Sequence, residues 1–192
     1  MSTTLPSESG LKRRGFLRRG SGLVLSASAV ALLGGVKSKS VIAATESALE
    51  QDITILNTAI AAELEAVAAY QLGADSGLLD SAVKKLALTF QGHHKEHADV
   101  LAATVNKLGG KAVNAKANYD FPVEKLKQQK DVLEFAAGLE RGAISAYAGA
   151  IPLFDNRDLM QAAAGILADE AMHWAVLRQA LGMEPVPSAF IR

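Results

Sequence analysis

The sequence predicts an all-α fold: a four-helix bundle with a long connection between its second and third helices. Three observations carry this. The chain is rich in Ala and Leu and only 5% aromatic, a composition that favours helix over sheet. Four segments repeat apolar residues every three or four positions. Between the second and third of them lies a stretch from Gly109 to Val123 that holds Asn118, Asp120 and Pro122 and has no such period. A chain of 192 residues has room for one domain, and the part after Ala44 is long enough to bury a core without disulfide staples.

The first helix is expected from about Glu46 to Gly73, with a stripe of Leu49, Ile53, Leu56, Ile60, Val67 and Tyr70 into which Glu63 falls. The second should follow a turn near Ser76 to Asp80 and end at Leu108, where Gly109-Gly110 is a stop. Its stripe reads Leu79, Val83, Leu86, Phe90, His94, His97, Leu101, Val105 and Leu108. The Gly109 to Val123 stretch then has the length of a crossover along a bundle. After a short helical turn from Glu124 to Gln129, the third helix is expected from about Asp131 to Ala150, with Leu133, Ala136, Glu140, Ile144, Tyr147 and Ile151 on its stripe. Pro152 ends or kinks it. The fourth should open near Asp155 or Asn156, both good caps, and stop before Gly182, with a stripe of Leu159, Ala163, Ile166, Glu170, His173, Leu177 and Leu181.

These helices repeat one another. Glu63, Ala66, Ala69 and Tyr70 match Glu140, Ala143, Ala146 and Tyr147 at an offset of 77, and Phe90, His94, His97 and Leu101 match Ile166, Glu170, His173 and Leu177 at an offset of 76. Two hairpins of similar design imply a bundle with pseudo-two-fold symmetry, whose polar stripe residues meet near the centre.

Charge is unevenly placed. Seven basic residues and one acid precede Ala44, whereas the chain from Thr45 holds 13 Lys or Arg and 19 Asp or Glu, a net charge of −6. That argues against nucleic acid as a partner. With no cysteine, thiolate metal sites are excluded, which leaves carboxylate and imidazole as the strong ligands. At the N-terminus, Lys12-Arg13-Arg14-Gly15-Phe16-Leu17-Arg18 resembles the twin-arginine consensus. A modestly apolar stretch from Ser21 to Gly35, too short for a convincing membrane span, and a small-residue cleavage region at Val41 to Ala44 follow it. Residues 1–44 are thus expected to be a signal peptide read by the twin-arginine translocation machinery, and 45–192 a bundle domain delivered to the periplasm with no stable membrane span after processing. Twin-arginine systems carry folded proteins, which is compatible with a metal inserted before export.

Charged groups on a buried stripe are costly unless paired, protonated or bound to a metal. Here Glu63, His94 with His97, Glu140, and Glu170 with His173 fall at one level of the four helices. Residues three apart project from the same side of a helix, so Glu170 and His173 can chelate one ion while the carboxylate reaches a second. Glu65 is expected to face solvent. His93 with Glu96 offers an alternative pair on a neighbouring face, with Glu96 otherwise an outer or exposed acid. Tyr70 and Tyr147 read as core aromatics whose hydroxyls need partners, ligating carboxylates among the choices, and Trp174 reads as packing. No phosphate-loop, nucleophile-triad or dinucleotide motif is present.

On these residues the chain resembles the ferritin-like superfamily of dinuclear carboxylate proteins. It is similar in particular to the exported, desiccation-associated branch, whose first helix carries a Leu-Asn start and a Glu seven residues before a Tyr, as Leu56-Asn57, Glu63 and Tyr70 do here. The resemblance runs from about Asp52 to Leu181. It implies two ions, iron or manganese with zinc also suited, held by Glu63, His94, His97, Glu140, Glu170 and His173, and a reaction with oxygen or peroxide. His94 stands where the family usually places a bridging carboxylate, so the set is three Glu and three His. The other class of function this allows is a non-catalytic scaffold for envelope stress protection or partner binding. A homo-oligomer is compatible with either, while no contact surface for a hollow storage shell is identifiable.

Overall fold

Capping chemistry and the apolar period set four helices. In a computed structural model, which describes residues 39–191 and their side chains from Thr45 onward, α1 spans Lys39–Asp75, α2 Ser81–Lys107, α3 Gln129–Ala150 and α4 Arg157–Ala180. Two 3-10 turns, Val123–Lys125 and Ile151–Leu153, flank α3, and no strand occurs among the described residues. The all-α, four-helix expectation is met. Arg13-Arg14 and the stretch from Ser21 to Gly35 lie outside the described residues, and the backbone of Val41 to Ala44 is helical.

Helix α1 starts earlier than Glu46 because no Gly or Pro interrupts the chain between Lys39 and Gly73. From Thr45 to Asp75 it is also long and apolar enough to cross a membrane on composition alone, yet Leu56, Ile60 and Tyr70 are packed in the bundle core. The Asp80 carboxylate caps α2 by accepting from the amides of Ala82 and Val83, both at 2.9 Å. Helix α3 begins at Gln129, ahead of the expected Asp131, because the Asp131 carboxylate reaches back to the amides of Lys127 (2.9 Å) and Gln128 (3.1 Å). The helical turn expected at Glu124 to Gln129 accordingly shrinks to the 3-10 turn at Val123–Lys125. Asn156 caps α4 through the Asp158 amide at 2.9 Å.

The core comes in two apolar clusters, and the order in which each helix visits them gives the topology. Helix α1 runs from the first cluster (Leu56, Ile60) to the second (Tyr70), and α2 returns from Ala87 and Phe90 to Leu101 and Val105. Helix α3 starts in the second cluster with Leu133 and Ala136 and ends in the first with Tyr147, and α4 goes from Leu159 and Ala163 back to Leu177. Helices α2 and α3 therefore run the same way, and the chain between them must return along the bundle. The 22 residues of α3 span about 33 Å, well within reach of the 108–128 connection in extended form.

Specific contacts hold that crossover. Gly109 turns out of α2 at φ +85°. A Cβ at Gly110 would lie 2.8 Å from Ile53 Cγ2, so the chain leaves α2 pressed against α1. Asn57 then donates to the Lys111 carbonyl (3.1 Å) and accepts from the Val113 amide (2.9 Å). Phe121 packs its ring against Phe135 of α3. At the bundle ends, Asp80 and Gln129 exchange two hydrogen bonds (2.7 and 3.0 Å). The buried Asp52 carboxylate accepts from the amides of Asp155 (2.9 Å) and Asn156 (3.2 Å) just ahead of α4. Leu49, expected on the α1 stripe, is 39% exposed, because it sits one turn before the level where Asp52 ties α1 to α4.

Helix α3 carries Gly138, Gly142 and Gly149 on an exposed face, and a Cβ at any of them would meet no atom within 4 Å. Gly142→Ala and Gly149→Ala should each raise the unfolding free energy by about 0.5–1 kcal/mol, whereas Gly110→Ala should lower it. Urea unfolding of the three variants checks the contrast, and a loss of stability at Gly142 and Gly149 would contradict it.

Candidate metal centre

Between the two apolar clusters lies a polar layer. Each helix changes character there, with Glu63 on α1, His94 and His97 on α2, Glu140 on α3, and Glu170 and His173 on α4. All except the partly buried His97 are no more than 2% exposed. The structure thus brings together all six residues singled out from the sequence.

The two hairpins are interlocked at this layer. Tyr70 of the first donates to Oε1 of Glu140 in the second, and Tyr147 of the second donates to Oε1 of Glu63 in the first at 2.5 Å. The tyrosines are symmetry mates in the sequence repeat, and so are the glutamates. Burial and the facing carboxylates push both phenols up from their ordinary pKa, so each stays a donor.

Two groups of ligand atoms, each within 4.8 Å of one another, overlap: Glu63, His94, His97 and Glu170, then His94, Glu140, Glu170 and His173. Glu170 joins them through different oxygens. Its Oε1 lies 3.2 Å from His97 Nδ1 and its Oε2 lies 3.2 Å from His173 Nδ1, the disposition of a bridging carboxylate. His94 joins them through different nitrogens, Nδ1 at 2.8 Å from Glu63 Oε2 and Nε2 at 3.3 Å from Glu140 Oε1. A neutral imidazole has one lone pair, so His94 can serve one ion only.

Burial disfavours the charged forms of His94, His97 and His173, but the carboxylates they face outweigh it and hold their pKa values up at about 10, 9 and 9. Burial likewise works against the Glu140 and Glu63 carboxylates. The facing imidazoles of His173 and His94 beside Glu140, and those of His94 and His97 with the Tyr147 hydroxyl beside Glu63, hold both below the usual carboxylate range. Even so, the layer is incompletely satisfied: His97 Nδ1, Glu140 Oε2 and Glu170 Oε1 are buried without a hydrogen-bond partner. Three buried ligand-type atoms left without a hydrogen-bond partner in one layer fit a cation, which would take the place of the proton on His97.

Sequence reasoning missed Asp169. Its Oδ2 lies 3.2 Å from His173 Nε2, 3.5 Å from His97 Nε2 and 3.0 Å from His93 Nδ1. One carboxylate therefore meets the outer nitrogens of the two histidines whose inner nitrogens face Glu170. The signal was present: Asp169 is four residues before His173 on one helix face and is the repeat mate of His93 at the offset of 76. The His93–Glu96 alternative is not formed, since Glu96 is exposed and His93 turns to Asp169 and to His173 Nε2 (2.9 Å). Glu65, expected to face solvent, is half-buried and lines a groove between α1 and α3. Phe90 stacks on the His173 ring at 4.0 Å. Trp174 packs at the edge of the second cluster, its ring covered by the Arg178 guanidinium at 4.8 Å.

That groove, of about 630 Å³, opens to solvent and reaches Glu63, His94, Glu140 and Tyr147 at its floor.

A family model described as ferritin-like domain matches residues 51–183, and the chain belongs to that family. Among solved structures, a conserved hypothetical protein from Mycobacterium tuberculosis superposes with a TM-score of 0.64 at 22% identity, over 73% of this chain and 97% of its own. Ferritin-like, diiron-carboxylate proteins from Bacillus anthracis reach a TM-score of 0.61 at 21% identity, over 70% and 97%. A dodecameric thioferritin, the bacterioferritin-related protein of Bacteroides fragilis, gives 0.61 at 24% identity, over 70% and 86%. At these identities the likeness is one of fold. No curated protein sequence matches the chain.

The raised imidazoles make stability depend on pH in the metal-free protein. Unfolded His and Glu titrate near about 6.5 and 4.3. The histidine contribution is fully present below about pH 6.5 and lost as pH rises through 9 to 10. The lowered Glu63 and Glu140 contribute above about pH 4.3, a contribution lost as pH falls through their folded values. The melting temperature of metal-free protein should therefore peak between about pH 4.5 and 6.5 and decline toward pH 10. Calorimetry across that range tests it, and a flat profile above pH 6 would contradict the assignment.

Proposed function

We propose that this ferritin-like chain holds two metal ions, iron or manganese, in its polar layer and reacts with oxygen or peroxide there. The observation that carries the reading is the overlap of two ligand groups on Glu170, with buried ligand-type atoms left without a hydrogen-bond partner. Glu63 and His97 would hold one ion, Glu140 and His173 the other, Glu170 would bridge them, and His94 would complete one of the two. Zinc suits the same donors without redox chemistry. Iron or manganese, when bound, would supply electrons and Lewis acidity to oxygen or peroxide.

The chain's own residues prepare this. Tyr70 and Tyr147 fix the rotamers of Glu140 and Glu63, each from the opposite hairpin. The Asp169 carboxylate lies 3.2 and 3.5 Å from the outer nitrogens of His173 and His97, where it would favour a proton and so leave Nδ1 of each for a cation. The apolar clusters above and below shield the two ends of the layer from water, which leaves the α1–α3 groove as an approach to it. Export rests on the sequence: the paired arginines at Arg13-Arg14, the short apolar run and the small residues ahead of Thr45 support twin-arginine delivery to the periplasm, and Leu56-Asn57 with Glu63 and Tyr70 support a place in the exported, desiccation-associated branch. The dodecameric neighbour makes a homo-oligomer the assembly to look for.

His94 favours one other reading. In place of a fourth carboxylate it pairs with Glu63 and Glu140 itself, so the layer offsets much of its own charge without an ion, as a non-catalytic stress-protection or partner-binding scaffold would require.

Mass spectrometry of metal content decides between them, on protein purified from the periplasm without a histidine tag, beside a Glu140→Ala, Glu170→Ala double variant. About two ions per chain, lost in the variant, is the expected result. No metal in either protein, with the variant at least as stable, would leave the scaffold.

A further inference from the structure

The groove between α1 and α3 shares its floor with the metal centre but has a shape and walls that the ion reading leaves unused. Its α1 wall runs from Thr54 to Ala66 and its α3 wall from Gly138 to Ala150, each about 18 Å long. The walls are built from small residues at a spacing of four: Thr54, Thr58, Ala62 and Ala66 on one side, Gly138, Gly142, Ala146 and Ala150 on the other. Glycine inside a helix is unfavourable relative to alanine, and a Cβ at Gly138, Gly142 or Gly149 would meet nothing within 4 Å. Packing within this chain therefore does not call for these glycines, and their effect is to keep the groove wide.

A second observation points to a ligand. Glu140 lines the groove floor, is 1% exposed, and its Oε2 has no hydrogen-bond partner. A volume of about 630 Å³ falls in the range of small-molecule sites, about 300–1,000 Å³. The floor is lined by carboxylates and the domain carries −6, which disfavours an anionic ligand such as a fatty acid. We infer that the α1–α3 groove binds an elongated, uncharged apolar molecule of the long-chain alcohol type, with one end against Glu63 and Glu140. That this molecule is a substrate rests on the metal-centre reading; its binding does not.

The test is displacement of Nile red by 1-dodecanol from the wild-type protein, with and without bound metal, and from Gly142→Leu, Gly149→Leu and, on the opposite wall, Ala62→Leu. Saturable dye binding, reversed by the alcohol and weakened about tenfold or more by the fillings while metal content is unchanged, is the expected result. If the α3 variants fail to fold, Ala62→Leu decides alone. Dye binding that persists in protein found to hold no metal supports the groove and refutes only the metal centre. Metal present with no saturable dye binding, or binding unaffected by filling either wall, overturns the inference. A dimer in sedimentation that excludes the dye and dissociates in Gly149→Leu also overturns it, in favour of a second copy as the occupant.

Discussion

Three carboxylates and three imidazoles sit in the middle of a helical bundle whose ends are apolar, and the arrangement of the rest follows from making that layer tolerable. An isolated buried charge costs several kcal/mol, so none is isolated. Each imidazole faces carboxylates, each phenol caps one, and Asp169 gathers the outer nitrogens of His97 and His173. The two apolar clusters do the remaining work. Leu56, Ile60 and Val105 on one side, and Phe90, Leu133 and Leu177 on the other, supply burial that a polar layer cannot.

The layer also shows how a duplicated design departs from itself. Tyr70 and Tyr147, Glu63 and Glu140, and His97 and His173 are paired by the repeat and play equivalent parts. His94 and Glu170 are paired as well, and differ. The carboxylate can join two positions through two oxygens, whereas the imidazole offers each side a nitrogen but only one lone pair. The same asymmetry recurs one residue earlier, where His93 and Asp169 are mates and touch at 3.0 Å. A symmetric scaffold thus carries an asymmetric centre, and the two ion positions would not be equivalent.

Much of this was legible in the residues because helices convert spacing into facing. The period of Leu133, Ala136, Glu140, Ile144 and Tyr147 identifies the face of α3 that is buried, and Glu140 lies on it. The same argument recovered Glu170 with His173. Pairing across helices was harder. That Tyr70 bonds the glutamate of the other hairpin depends on the crossover topology, which no local spacing encodes. Asp169 was overlooked because an acid beside the stripe looks exposed until the inter-helix geometry places His97 opposite it, and the His93–Glu96 pair failed for the same reason. In the sequence Asp52 marks only where the family resemblance begins. Its role in capping the approach to α4 joins residues more than a hundred positions apart. The groove escaped notice because alanine and glycine carry no chemical signature; only their open surroundings mark it.

If the layer exists to hold metal, its unpaired atoms are a cost in the empty protein that the ion removes. The direct measurement is the unfolding free energy of one preparation, stripped with chelator and then titrated with iron(II) under anaerobic conditions or with manganese(II). Ions held only by the folded state should raise it by about 2.7 kcal/mol per ion bound at a hundredfold excess over the dissociation constant, with saturation near two equivalents and no rise in a Glu170→Gln variant. An unfolding free energy unchanged by either metal, or raised equally in that variant, would contradict the account.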